Sequence, residues 1–262
     1  MIATITLATI LVSSCSKDAT SPSNEPTLSE SPGISFSKGE PSTPPTPPTP
    51  PSRKIVDLGK ASNFAILAGS DVACGAGGSS ISGGLGVSPG FTLLGFDQCV
   101  HKGTEHLADA TAARAQLDLV DAYAAMWALP CPPANNLTRA TLGQFIVVPG
   151  VYCFEFGLYL GLGNAKLNLT LDGLGDRNAT FVFRTPYAMY LAGNIILVNG
   201  ADAKNVFFLS GLAATVEDGS TIRGTIISLS QISIGSNVTL IGRTLAIQNQ
   251  VYLEGNDTIG LP

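Results

Sequence analysis

DGSTIRGTII (residues 218–227) and GSNVTLIGRTLA (residues 235–246) are two copies of one loose sequence repeat. Each contains a polar turn, a short strand, a glycine and a second short strand. The repeat is about 20 residues long, which suits one turn of a solenoid made of three short strands. A β-sandwich would instead need hairpin turns and strict alternation of apolar and polar residues, and the sequence has few of either. The repeat therefore predicts a mostly β protein of the solenoid type.

The same strand character extends from these repeats in both directions. Residues 64–68, FAILA, are typical of a buried strand, and turns rich in glycine and serine follow them. After Leu142, short apolar strands separated by Gly, Asn and Asp continue to the end of the chain, at residues 181–183, 195–198, 206–209, 225–227, 238–240 and 251–253. The composition agrees, because 29 glycines and 13% charged residues suit many tight turns around an apolar core.

One segment breaks the β pattern. Residues 104–128 carry apolar side chains at helical spacing, which predicts a single helix of about 25 residues with one apolar face. We expect Thr104 to cap the amino end of this helix, and Pro130 to stop it.

Charge excludes two classes of partner. The chain has 262 residues and a net charge of −5, without a basic stripe that could neutralise phosphates. We therefore expect neither nucleic-acid binding nor electrostatic docking on anionic lipid.

The amino-terminal region predicts export. Residues 1–15 are mostly apolar and end at Cys15, which is typical of a signal peptide with a lipidation motif. No Lys or Arg precedes the apolar run, so a misassigned start or a eukaryotic signal peptide stays open. Residues 16–54 are rich in Ser, Thr and Pro and predict a disordered linker with a polyproline II spacer. Residues 55–262 form the predicted folded domain. We expect a secreted protein or one on the outer cell surface, with a membrane contact only through a lipid on Cys15.

The remaining cysteines fit an oxidising compartment. Cys74, Cys99, Cys131 and Cys153 form an even set with no metal-ligand spacing. We predict the pairs Cys74–Cys99 and Cys131–Cys153, although four cysteines allow three connectivities.

Nothing in the sequence favours an enzyme. His101 and His106 are the only histidines; we expect them near the start of the helix and facing solvent. No motif for metal-assisted or nucleophilic catalysis is present, so we predict no catalytic residue, no metal and no cofactor.

Six segments of the domain together resemble one known family, namely residues 56–69, 81–90, 148–152, 178–183, 205–208 and 241–246. With these segments the domain is similar to the ice-binding protein family with a discontinuous β-solenoid fold. The resemblance implies a right-handed solenoid of triangular section, with the long helix along one side, and N-terminal and C-terminal coils that meet. It implies no chemistry, and it implies adsorption to an ice crystal surface through one flat face. We expect the protein to be a monomer.

The resemblance also locates the flat face. The corresponding strands are residues 70–73, 156–159, 187–190, 212–215, 230–233 and 249–252. Family members often carry a threonine at the fourth position of such a strand, where this sequence has mostly tyrosine, serine or alanine. The predicted face consists of Ala73, Tyr159, Ala188, Tyr190, Ala213, Thr215, Ser230, Gln231, Ser233, Gln250 and Tyr252.

The loss of threonine leaves two functions open. Short polar side chains on a rigid grid can order water, which favours adsorption to ice, inhibition of ice growth and recrystallisation, or attachment of cells to ice. Tyrosine rings suit stacking on sugars or packing on a partner. The alternative is therefore a cell-surface adhesin that binds glycan or protein through the same face.

Overall fold

The computed structural model describes residues 56–137, 141–161 and 165–262. The predicted signal peptide, Cys15 and the linker of residues 16–54 lie outside the described residues, and so does the expected start of the domain at residue 55. In the part of the chain that the structure describes, no helix is both long and apolar enough to cross a membrane.

Short strands make up most of the described chain. Single 3-10 turns lie at Gly59–Asn63, Pro133–Asn135 and Ala203–Asn205. The strands are β1 Phe64–Ala68, β2 Asp71–Cys74, β3 Ser79–Ser82, β4 Gly84–Val87, β5 Thr92–Leu94, β6 Val100–Lys102, β7 Glu105–Leu107, β8 Ile146–Val147, β9 Gly150–Cys153, β10 Leu158–Tyr159, β11 Leu167–Asp172, β12 Phe181–Thr185, β13 Met189–Leu191, β14 Gly193–Val198, β15 Val206–Ser210, β16 Ala214–Val216, β17 Thr221–Ser228, β18 Ile232–Ile234, β19 Thr239–Ala246, β20 Val251–Leu253 and β21 Asp257–Gly260.

Three parallel walls build the solenoid. A 14-stranded sheet forms two walls, and a separate seven-stranded sheet forms the third. The open wall consists of β6, β3, β21, β14, β11 and β8 with the first halves of β17 and β19. The helix wall consists of β7, β4, β1, β15, β12 and β9 with the second halves of β17 and β19. Three strands per coil confirm the predicted solenoid.

Glycine turns the corner between the first two walls. Gly224 in β17 pairs with Gly242 in β19, and both have positive φ angles, of 138° and 159°. A Cβ atom at Gly242 would collide with the carbonyl oxygen of Gly224. The glycine of the sequence repeat is therefore required at this corner.

The solenoid is discontinuous along the chain. After β19, β20 and β21, the next coil positions are filled by β1, β2 and β3, because β1 pairs with β19, β2 with β20 and β3 with β21. The expected meeting of N-terminal and C-terminal coils is confirmed. Inside the walls, Tyr152, Phe183 and Phe208 stack on successive strands of the helix wall, with ring centroids 5.2 and 5.0 Å apart.

Helix α1 covers the helix wall, but it is shorter than the sequence suggested. It spans Ala110–Trp127, and its cap is Asp109, whose carboxylate accepts a hydrogen bond of 2.8 Å from the amide of Ala112. The prediction that it begins after Thr104 is wrong. Residues 105–107 form β7 instead, because their backbone pairs with the otherwise open edge of β4.

The two histidines belong to the end strands rather than to the helix. His101 lies in β6; its side chain is only 6% exposed, and its Nε2 atom lies 2.8 Å from the carbonyl oxygen of Gly83. His106 lies in β7, where its Nδ1 atom is 2.7 Å from Asp109 Oδ2 and its ring meets Phe64 edge-on. The expectation that both face solvent is wrong, because the last coil folds them inward.

Apolar packing and two disulfides hold the ends of the domain. The inner side of α1 buries Ala115, Leu119, Ala122 and Met126 against the helix wall. The predicted pairs Cys74–Cys99 and Cys131–Cys153 are both bonded. The first joins β2 to the chain just before β6, and the second joins the chain after α1 to β9.

Candidate functional site

The seven-stranded sheet is one of the two walls that α1 does not cover, and it carries the predicted face. Its strands run in the order β10, β13, β16, β18, β20, β2 and β5, all parallel. Alternate side chains point inward; Met189 and Leu191 of β13, for example, are fully buried, whereas Tyr190 between them is exposed. The outward side chains therefore form columns across the strands, about 4.8 Å apart from one strand to the next.

The first outward column contains the fourth-position residues of the sequence prediction. Register pairs join each residue to the next without a shift. The column is Tyr159, Tyr190, Thr215, Ser233, Tyr252, Ala73 and Leu94. Six of these seven residues come from the sequence prediction, which the structure places side by side.

The second outward column lies two residues earlier on each strand, about 6.8 Å away. Backbone hydrogen bonds of 2.9–3.0 Å continue the ladder there, from Met189 to Ala213 and from Ala214 to Gln231. The column is Gly157, Ala188, Ala213, Gln231, Gln250, Asp71 and Thr92. Four of the predicted residues, Ala188, Ala213, Gln231 and Gln250, lie in it.

Small residues in the second column let two tyrosine rings lie along their strands. The rings of Tyr159 and Tyr190 stack with centroids 5.4 Å apart and planes 2° apart. A Cβ atom at Gly157 would lie 3.1 Å from Cε2 of Tyr159, so this ring rests above the glycine. Ala188 occupies the same place before Tyr190. Each ring thus has one face covered by the other and rises little above the sheet.

Ser230 lies apart from the two columns. It occupies the corner before β18, where its hydroxyl accepts a hydrogen bond of 2.9 Å from the side-chain amide of Asn249. The same corner on neighbouring strands carries large exposed apolar residues, namely Phe91, Phe156, Tyr187 and Leu212. The predicted members thus form two regular columns plus one corner residue.

Besides Gly157, four further residues belong to this surface but escaped the sequence prediction. Thr92 and Leu94 extend the columns onto β5, Asp71 precedes Val72 in β2, and Thr141 pairs with Tyr159 beyond β10. Residues 92–94 lie between glycines and look like part of a turn. Only their pairing with β2 identifies them as a strand.

The outward columns of the seven-stranded sheet carry little charge. Asp71 is the one charged residue in the two outward columns, and its carboxylate accepts a hydrogen bond of 2.6 Å from the hydroxyl of Ser70. Within residues 56–137, 141–161 and 165–262, no group of His, Cys, Asp or Glu could hold a metal ion. The sheet can therefore contact a large flat partner, and it offers no convergent acid–base groups.

The open wall carries its own column of small polar residues, separate from the two outward columns of the seven-stranded sheet. It consists of Ser80, Thr258, Thr239, Thr221, Asn194 and Asn168 in register. The neighbouring column holds longer side chains, among them Arg223, Ile241 and Lys102. These side chains make the open wall rougher and more charged than the seven-stranded sheet, although it carries more threonine.

A parallel solenoid with one wall covered by a helix and another left flat and weakly charged defines a binding protein that acts through a surface. Residues 66–259 match the ice-binding-like family, and the chain belongs to this family. The family consists of non-enzymatic proteins.

Individual relatives agree with this assignment. An ice-binding protein of Nostoc sp. (strain HG1) is 40% identical over 204 residues, which cover 76% of this chain and 72% of that protein. The crystal structure of an ice binding protein from an Antarctic biological consortium has 33% sequence identity and a TM-score of 0.73, covering 79% of this chain and 91% of that one. The crystal structure of the ice-binding protein from the Antarctic ascomycete Antarctomyces psychrotrophicus has 33% sequence identity and a TM-score of 0.70. The match covers 79% of this chain and 98% of that one.

Proposed function

We propose that this protein binds ice through the two outward columns of the seven-stranded sheet. The observation that carries the proposal is the register of these columns, which runs over seven strands with a single charged residue. Family membership and relatives named as ice-binding proteins support it.

The geometry explains how such a surface would act. The columns form a grid of about 4.8 by 6.8 Å that parallel hydrogen bonding keeps rigid. Thr215, Ser233 and the tyrosine hydroxyls offer hydrogen-bond partners to water, and Ala188 and Ala213 keep the surface low between them. Ordered water on this grid would join the ice lattice. Ice between adsorbed molecules would then grow only as curved fronts, which lowers the local freezing point and blocks recrystallisation.

One observation favours a second function. Tyr252 lies between Ser233 and Ala73 in the first column, and two such small neighbours leave room against both faces of its ring. A sugar could stack on this ring. The stacked pair of Tyr159 and Tyr190 suits sugar less well, because each ring covers one face of the other. An adhesin that binds glycan at Tyr252 is the alternative.

The proposal includes the location of the protein outside the cell. Export through the signal peptide, a lipid on Cys15 and the proline-rich linker would hold the domain away from an outer cell surface. The two disulfides support an oxidising compartment. One sheet is enough for adsorption, so a single copy is the active unit in dilute solution.

Slow freezing on a cold finger tests the function. The protein is expected to be enriched in the ice fraction, whereas a non-binding globular protein of similar mass stays in the liquid. Exclusion of the folded protein from the ice would overturn the proposal. In parallel, binding to a glycan array that is lost in Tyr252→Ala would establish the adhesin instead.

A further inference from the structure

Helix α1 has a second apolar side that the solenoid does not use. Ala113, Leu117, Val120 and Ala124 are all exposed, and the side chains of Leu117 and Val120 are 59% and 45% exposed. These residues recur at spacings of four, three and four, which is the pattern of a seam between two packed helices. None of the residues that the structure describes covers this seam.

We propose that the seam binds the same seam of a second copy of this chain, with the two helices antiparallel. In this arrangement Leu117 packs on Val120 of the second copy, and Ala113 packs on Ala124. Because the interface is two-fold symmetric, each contact occurs twice. Alanine at both ends lets the helices approach closely.

The charges beside the seam suit pairing with an identical copy. Arg114 and Asp121 are both exposed. They lie seven residues apart, which is one repeat of the seam spacing, and therefore on the same flank of the seam. An antiparallel partner places Asp121 opposite Arg114 and Arg114 opposite Asp121. In a parallel pair the two copies of this flank would lie on opposite sides of the seam, and Arg114 would not meet Asp121. Arg114 already pairs with Asp118 at 2.6 Å, but a guanidinium has five donors and can serve both carboxylates.

The size of the seam indicates a weak dimer. The helix has 18 residues and is therefore about 27 Å long. One helix face of this length is smaller than the roughly 800 Å² per partner of a standard stable interface. We therefore expect weak association, so pairing needs a high local concentration. No seam residue belongs to the seven-stranded sheet, and a dimer would therefore carry two uncovered copies of that sheet.

Sedimentation velocity from micromolar to millimolar protein tests the proposal. The wild type is expected to shift toward a dimer at the upper end. Leu117→Glu should weaken this association at least about tenfold, because it places a charge in the apolar seam. Leu174→Glu is the matched control, since Leu174 is 67% exposed in the turn after β11, outside the seam. Unchanged melting temperatures show that both variants fold.

Charge reversal tests the antiparallel geometry. Arg114→Asp alone places acid opposite acid, and Asp121→Arg alone places base opposite base, so neither variant should self-associate. An equimolar mixture of the two restores both pairs and should dimerise like the wild type. A wild type that stays monomeric at millimolar concentration would overturn the proposal. A Leu117→Glu variant that associates as strongly as Leu174→Glu would also overturn it. The same holds if the mixture of Arg114→Asp and Asp121→Arg associates no more strongly than either variant alone.

Discussion

Replacing Ala213 by arginine tests the proposed surface near its middle. The two columns cover six strand intervals and about 10 Å of width, roughly 290 Å² in all. An arginine reaches about 5 Å further than alanine from the backbone, more than one water diameter. It would lift ice from the two strand intervals that flank β16, about 96 Å² by the same measure. At about 25 cal/mol per Å² this loss is about 2.4 kcal/mol, or roughly 60-fold in adsorption.

Thermal hysteresis measured against protein concentration is the assay. Because an arginine can bend aside, we expect the curve of Ala213→Arg to move to at least about tenfold higher concentration. Thr258→Arg is the control, since Thr258 is exposed in the small polar column of the open wall. It should match the wild type. Full activity in Ala213→Arg, or an equal loss in Thr258→Arg, would refute the assignment of the surface.

Three other substitutions test the stacked tyrosines, the cap of α1 and the packing under α1. Thr215→Tyr should reduce thermal hysteresis less than Ala213→Arg, because the new ring can extend the stack next to Tyr190; a larger loss would count against that packing. The amide of Ala112, and then His106, lower the pKa of Asp109 below 3.8, so its stabilisation exists at neutral pH and is lost as the pH falls through the lowered pKa. Asp109→Asn, which caps without titrating, should therefore flatten the acid side of a plot of melting temperature against pH. Leu119→Ala should lower the free energy of unfolding in urea by about 2–5 kcal/mol, with thermal hysteresis of the folded protein unchanged.

The sequence revealed the coils because their constraints are local. Gly224 and Gly242 recur at the same corner, and the residues after each of them pair in register, as in Ile226 with Thr244. The repeat of turn, strand, glycine and strand was therefore enough to predict a solenoid. The assignment of Thr215 and Ser233 to one face came from the resemblance to the family, because no local pattern fixes the register between strands.

The features that the sequence did not predict depend on contacts between distant parts of the chain. The segment 105–107 has a composition compatible with a helix, and only the open edge of β4 makes it a strand. The small polar column on the open wall joins residues from both ends of the chain, such as Ser80 and Thr258, which become neighbours only through the discontinuity of the solenoid. No local pattern contains this information.

Ice is proposed to contact the seven-stranded sheet rather than another wall of the solenoid. Transfer of magnetisation from ice protons to threonine methyl groups, measured by solid-state NMR on the frozen protein, distinguishes the walls. We expect strong transfer to Thr215 and weak transfer to Thr239 and Thr258, which lie on the open wall. Strong transfer to Thr239 and Thr258 with none to Thr215 would contradict it.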